Sequence, residues 1–179
     1  MEDIDWPENI EEIGSGAFCG CVNLKRLQFP ASVKSIDAWA FSGCTSLEFL
    51  EVPPKIYTLG SSGAPFENCM GLRKVVVHPN CANFNSVYKG CTNIEHIVLK
   101  GAWPQIRGGA FRDMDNLRKI EIPDGCKDIQ YQAFENCRSL SSISLPSTVN
   151  ELGYRAFSGC TSLIELTIPE GIECFPERI

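Results

Sequence analysis

The sequence lacks any long apolar run, and no stretch approaches the roughly 18 consecutive apolar residues that a membrane-spanning helix requires. It also lacks a basic excess, because 16 lysines and arginines face 22 aspartates and glutamates, which gives a net charge of −6. Binding to a nucleic-acid backbone needs a basic face. These two absences argue against membrane insertion and against a nucleic-acid partner.

A secretory signal is also missing from the first residues. Met1 to Trp6 are acidic and lack the apolar core of a signal peptide. If Met1 is the native start, we expect the protein to stay in the cytoplasm. If Met1 was added for expression, a signal peptide removed earlier leaves no trace, and the compartment stays open.

What the sequence does contain is an internal repeat of about 23 residues. One aromatic residue marks each copy: Phe18, Phe41, Phe66, Tyr88, Phe111, Phe134 and Phe157. Three residues later come Cys21, Cys44, Cys69, Cys91, Met114, Cys137 and Cys160. Three residues further come Leu24, Leu47, Leu72, Ile94, Leu117, Leu140 and Leu163. Seven copies in register indicate a repeat fold.

Each copy continues with two apolar residues in alternation, which predicts a short strand. The first column is Leu27, Leu50, Val75, Ile97, Ile120, Ile143 and Leu166. The second is Phe29, Val52, Val77, Leu99, Ile122, Leu145 and Ile168. Proline ends the pairing in five copies, at Pro30, Pro53, Pro123, Pro146 and Pro169.

Two more apolar columns predict a second short extended segment. The first is Val33, Ile56, Cys81, Trp103, Cys126, Val149 and Ile172, and the second is Ile36, Leu59, Phe84, Ile106, Ile129, Leu152 and Phe175.

The steps of three residues from aromatic to cysteine to leucine favour a turn of 3₁₀- or α-helix. One coil buries too little to fold alone, so the coils must stack. We predict an α/β-type repeat solenoid with one short parallel strand and a short helical turn per coil.

These columns resemble the BspA-like leucine-rich repeat family, whose unit reads approximately LxxIxLPxxVxxIxxxAFxxCxxL. The sixth copy matches nearly throughout, from Leu140 to Leu163. The resemblance covers essentially the whole chain and implies a surface or secreted protein of a bacterium or mucosal protist that adheres to host matrix, host cells or other microbes. The resemblance implies no set of catalytic residues. Copies three and four depart from the pattern at Pro65, His78, Tyr88 and Lys100.

The repeat phase predicts a single domain over residues 1–179, with a half coil at 1–16 and seven coils at 17–179. Ile4, Trp6 and Pro7 occupy the strand and proline columns of that half coil. Solenoid ends normally carry polar caps, and neither end shows one. We expect one of two situations. Either the chain is a segment of a longer array, or its ends are covered by further repeats, by self-association or by a partner.

Ten cysteines is a high count, but the repeat phase indicates a structural role. Six of them recur in a column flanked by buried columns, where a free thiol behaves as a small apolar group. Neighbouring coils would bring these cysteines within disulfide range, so bridges stay open. Cys19 is the best candidate for an exposed thiol.

A metal centre and an active site are both disfavoured. His78, Cys81, Cys91 and His96 have zinc-like spacing, but the repeat phase sends them in different directions. The two histidines are the only imidazoles available as general bases, and no nucleophile has an activated position beside them. We expect no enzyme activity, no metal and no cofactor.

The outward positions of the strands are the candidate binding face. They are Arg26 and Gln28, Phe49 and Glu51, Lys74 and Val76, His96 and Val98, Lys119 and Glu121, Ser142 and Ser144, and Glu165 and Thr167. Phe49, Val76 and Val98 break the polar pattern and would form an apolar strip, which often marks an interaction site. Lys74, His78, His96 and Lys100 would fringe that strip.

Two functions therefore compete. The first is a protein-interaction or adhesion module that binds a host-matrix, host-cell or microbial surface protein through this strand face. The second is a structural spacer in a larger surface protein. Valine also favours strands for local reasons, and a covering loop would explain the strip equally well.

Overall fold

A computed structural model describes residues 1–79 and 84–172. The chain divides into two compact units, Met1–Ile94 and Glu95–Ile179. Each unit is a solenoid of short parallel strands, which confirms the coarse fold prediction.

The first unit contains two parallel ladders. One consists of β1 (Glu12–Ile13), β2 (Ser35–Ile36) and β4 (Thr58–Leu59), in the order β1-β2-β4. The other pairs β3 (Phe49–Glu51) with β5 (Lys74–Val77). Equivalent columns face each other in both ladders, so Ile13, Ile36 and Leu59 are in register, as are Leu50 and Val75. The repeat phase therefore sets the strand register.

The second unit has the same organisation. One row consists of β6 (His96–Leu99), β8 (Lys119–Glu121), β10 (Ser142–Ser144) and β12 (Glu165–Thr167), in which β6 pairs with β8 and β10 with β12. The other ladder consists of β7 (Gln105–Ile106), β9 (Asp128–Ile129) and β11 (Glu151–Leu152), in the order β7-β9-β11. All of these pairs are parallel, one strand per coil in each row.

The aromatic column forms the core of both units as a stack of rings. In the first unit the centroid distances are 5.2 Å for Phe18–Phe41, 5.5 Å for Phe41–Phe66 and 5.7 Å for Phe66–Tyr88. In the second they are 5.3 Å for Phe111–Phe134 and 5.4 Å for Phe134–Phe157. Offset stacking at these distances is favourable beyond area burial alone. The column is buried as predicted from Phe41 to Phe157, whereas Phe18 is half-buried.

The predicted helical turn after the strands is wrong, and the backbone hydrogen bonds explain why. Around Phe134, alternate amides leave the coil: those of Gln132, Phe134 and Asn136 donate to carbonyls one coil further on, at 2.9, 2.8 and 2.8 Å. The intervening amides of Ala133 and Glu135 bond within the coil. A helix would use every amide internally. The segment is therefore a series of tight turns.

Left-handed residues make this alternation possible. The residue two positions after each aromatic has a positive φ in all seven copies: Gly20, Gly43, Asn68, Gly90, Asp113, Asn136 and Gly159. A second left-handed position lies two residues before the aromatic in five copies: Gly16, Trp39, Gly109, Gln132 and Arg155. Glycine adopts this conformation freely, and asparagine and aspartate tolerate it. A regular helix cannot pass through them.

Copies one and three depart from the predicted coil. The run from Leu27 to Phe29 forms no strand. In the third copy, α1 (Phe84–Val87) replaces the second extended segment and is the one helix among the described residues. Nowhere in 1–79 and 84–172 is a helix long and apolar enough to cross a membrane. The column members Cys81 and Phe175 lie outside the described residues.

Replacement of Phe134 by alanine tests the aromatic stack. The ring is fully buried between Phe111 and Phe157, so we expect Phe134→Ala to lower the free energy of unfolding by about 3–5 kcal/mol. Tyr131→Ala, at a position that is 60% exposed, should change it by less than about 1 kcal/mol. Urea denaturation followed by circular dichroism measures both variants. Equal effects would contradict the assignment of the ring stack as core.

Candidate functional site

The strand face of the first unit presents one large exposed apolar side chain, Phe49. It is 42% exposed and lies opposite Lys74 in the β3–β5 register, and Lys74 is also exposed. The next outward position on β3 is Glu51, which is half-buried. An exposed ring beside a cation is a suitable anchor for a partner, since aromatic residues are enriched in binding hot spots.

Val76 does not belong to an exposed strip. The expectation that it faces solvent is wrong, because only 4% of the residue is exposed. Val75, Val76 and Val77 are all buried, so both faces of β5 are covered after Lys74. A continuous apolar run is typical of a strand buried on both faces. That run of three valines was the sequence signal for this burial.

His78 follows β5 and is partly buried as well. Its side chain is 15% exposed, and its Nε2 atom lies 3.9 Å from a carboxylate oxygen of Glu51. A histidine this close to a carboxylate is held as part of the surface rather than projecting freely from it. His78 therefore contributes less to an accessible fringe than its sequence position implied.

The strand face of the second unit is mostly polar. His96 and Lys100 are exposed and Val98 is half-buried. In the β6–β8 register His96 lies opposite Lys119 and Val98 opposite Glu121. Lys119 and Glu121 form an exposed ion pair at 2.8 Å. The surface around Val98 is thus charged, and Val98 alone supplies its apolar character.

The cysteine column has a bonding role that the sequence did not reveal. Five of its six thiols donate to the carbonyl of the aromatic residue one coil earlier: Cys44 to Phe18, Cys69 to Phe41, Cys91 to Phe66, Cys137 to Phe111 and Cys160 to Phe134, at 2.9–3.4 Å. The column therefore links successive coils as well as filling the core. Met114 occupies the same column without a thiol proton to donate.

These thiols are also poor nucleophiles. Burial raises the pKa of the Cys160 thiol to about 11, and it raises the pKa of the Cys137 thiol well above the ordinary value. A protonated thiol neither attacks nor ligates a metal effectively. In the described part of the chain all eight cysteines are free, and Cys19 is exposed. Cys81 and Cys174 lie outside the described residues.

The zinc-like spacing gains no support from the geometry. Cys91 is buried and bonded to Phe66, whereas His96 is exposed. Cys81 lies outside the described residues, so the set of four is incomplete. Among residues 1–79 and 84–172, no group of three or more histidine, cysteine or acidic side chains is arranged to hold a metal ion.

The tight turns around the core aromatics carry features that were not predicted from the sequence. Glu135 is a buried carboxylate, held by Arg112 at 3.1 Å and by Arg155 at 3.2 Å. Exposed aromatic residues also lie in these turns, namely Trp39 in the first unit and Tyr131 and Tyr154 in the second. Their signal was present in the sequence, because they lie two or three residues before the core aromatic and interrupt a mostly small or polar column.

A family model decides the classification. The model for the BspA type leucine rich repeat region matches residues 1–88 and 84–179, with six copies. The chain belongs to this BspA-type family. Its members are repeat scaffolds that generally bind proteins. The resemblance inferred from the columns is therefore confirmed.

A solved structure shows the same fold. The BspA-type chain is similar to a leucine-rich repeat protein from Eubacterium ventriosum, with 23% identity and a TM-score of 0.75 over 95% of this chain and 45% of that protein. A leucine-rich repeat protein of T. pallidum shares 28% identity over 90% of this chain and 64% of that one, with a TM-score of 0.47. No curated protein matches the chain. The BspA-type chain thus spans less than half the length of the Eubacterium protein.

Thiol labelling tests the cysteine assignment. With N-ethylmaleimide on the native protein, we expect rapid modification of Cys19 and slow modification of Cys44, Cys69, Cys91 and Cys137, because those four are at most 5% exposed and only the thiolate reacts. Mass spectrometry of the digested protein locates each adduct. Cys19→Ser should remove the rapid adduct, while rapid labelling of Cys137 would contradict the assignment.

Proposed function

We propose that this BspA-type protein is an adhesion module that binds a partner protein through the strand faces of its units. The observation that carries the proposal is Phe49, a large ring that is 42% exposed beside the exposed Lys74. A folded protein gains little stability from a half-exposed ring, whereas a partner that covers it gains apolar burial.

The second unit contributes its own strand face. His96, Val98 and Lys100 are the side chains proposed to contact the partner there, and Lys119 and Glu121 flank the first two. In the first unit the proposed contacts are Phe49 and Lys74, with His78 at the margin and Val76 removed because it is buried. Exposed charge at the rim of an interface influences partner choice more than affinity.

The proposed cellular location follows from the family. BspA-like repeats are associated with surface or secreted proteins, so we propose that the module acts at the cell surface. Its partners would be proteins of the host matrix, of the host cell or of another microbe. A spacer without a ligand of its own is the alternative, and it assigns no role to an exposed phenylalanine on the strand face.

A pull-down with single substitutions tests the proposal in each unit. The bait is the wild-type chain beside Phe49→Lys, Val98→Lys and, as a matched charge control, Ser144→Lys at an exposed strand position. The prey is a solubilised extract of epithelial surface and matrix proteins. We expect Phe49→Lys to reduce capture at least tenfold, a loss of about 1.4 kcal/mol, and Val98→Lys to reduce it less.

Circular dichroism first establishes that all four baits are folded. Val76→Lys is avoided, since a buried charge would unfold the coil and mimic a loss of binding. Capture that is equal for wild type and both test variants would remove the strand faces from the account and favour the spacer.

A further inference from the structure

Trp39 is a bulky residue at a position where the coil requires a left-handed backbone. Its φ is 57°, and the equivalent residues of other copies are Gly16, Gly109, Gln132 and Arg155. A bulky side chain is disfavoured in this conformation. Trp39 is also 45% exposed, so burial offsets only part of that strain. Strained residues of this kind cluster at functional sites.

Two contacts hold the indole ring in place. It packs against Gly63, where an added Cβ would be 2.6 Å from Cε2 and 2.7 Å from Cζ2 of the ring. The indole Nε1 donates to the Glu67 carboxylate at 3.0 Å. The ring is therefore fixed against the backbone while 45% of Trp39 stays exposed. Gly63 lies between the second and third core aromatics, Phe41 and Phe66, which are 25 residues apart instead of 23.

The surroundings of the ring are acidic. Glu67 accepts from Trp39 on one oxygen and from Lys89 on the other, at 3.0 Å, and the hydrogen bond from Lys89 keeps the pKa of Glu67 below its ordinary value. Glu67 is therefore ionised at neutral pH. Asp37 brings a second carboxylate, which accepts from the Ser61 hydroxyl at 3.4 Å. We call Asp37, Trp39, Ser61, Gly63 and Glu67 the tryptophan platform.

A flat indole beside two carboxylates is complementary to a planar cation. Tryptophan is the best aromatic partner for a cation. A guanidinium can stack on the ring while its fork of N–H donors reaches a carboxylate. The net charge of −6 attracts basic segments over a longer range. An anionic ligand would be repelled by the net charge, and a neutral sugar would make no ion pair with Asp37, whereas Glu67 already pairs with Lys89.

We propose that the tryptophan platform binds an arginine side chain in a basic segment of a protein partner. The platform lies in the first unit, on Trp39 and on the loop between Leu59 and Phe66, rather than on β3 and β5. It is thus a second surface, and it stands whether or not the strand faces bind.

Titration of the full chain with defined peptides tests the proposal. The probe is a hexaarginine peptide, with hexalysine as the comparator of equal charge, followed by calorimetry and by tryptophan fluorescence. We expect hexaarginine to bind more tightly than hexalysine. Trp39→Gly should weaken its binding about five- to thirtyfold, the range that corresponds to a cation–π contact. Glu67→Gln should weaken it as well.

Two further variants separate binding from folding. Gly63→Ala retains the tryptophan but displaces its ring, so it should also weaken hexaarginine binding. Tyr57→Ala removes another exposed aromatic residue of the same unit, 68% exposed, and should leave binding unchanged. Because glycine favours φ values near 57°, Trp39→Gly should retain or increase the free energy of unfolding.

Three results would overturn the proposal. Equal hexaarginine affinity of wild type and Trp39→Gly would show binding by net charge alone. Hexalysine binding that is as tight and as dependent on Trp39 would remove the preference for arginine. Binding of maltohexaose that depends on Trp39, without tighter hexaarginine binding, would identify the platform as a sugar site.

Discussion

The left-handed residue two positions after each core aromatic is the constraint on which the coils depend. It turns the backbone so that alternate amides point along the stack and donate to carbonyls of the next coil, as Gly43 does to Glu67 at 2.8 Å. Buried backbone groups must be paired, and a coil of 23 residues cannot pair them all internally. The aromatic stack and the cysteine thiols then fill the space that these bonds define.

Much of the fold was predictable because its signal is apolar periodicity. Buried columns such as Phe134, Cys137 and Leu140 repeat in sequence because they repeat in space, and strand register follows from the same phase. The helical turn was wrong because spacing of apolar residues cannot distinguish a helix from tight turns that bond outward. The column from Gly20 to Gly159, composed only of glycine, asparagine and aspartate, was the signal that distinguishes them.

The candidate surfaces were less predictable, because exposure depends on what lies beside a strand as well as on its phase. Phe49 is exposed as expected, whereas Val76 is buried although it occupies the next outward position in the neighbouring copy. Trp39 escaped notice because its importance lies in its φ and in its contact with Gly63. Both are three-dimensional facts, and Gly63 lies where the segment between the second and third core aromatics is two residues longer than the usual 23.

The most direct measurement is the stability of three glycine variants. Gly43 has a φ of 73°, and an added Cβ would make ordinary van der Waals contact with Gly20 at 3.8 Å, so Gly43→Ala imposes backbone strain without a clash. We expect a loss of about 1–2 kcal/mol in the free energy of unfolding, and a smaller loss for Gly43→Asn, since asparagine tolerates this conformation. Gly14→Ala, where φ is not left-handed and nothing lies within 4 Å, should cost nothing. Equal stability of Gly43→Ala and Gly14→Ala would contradict the left-handed constraint.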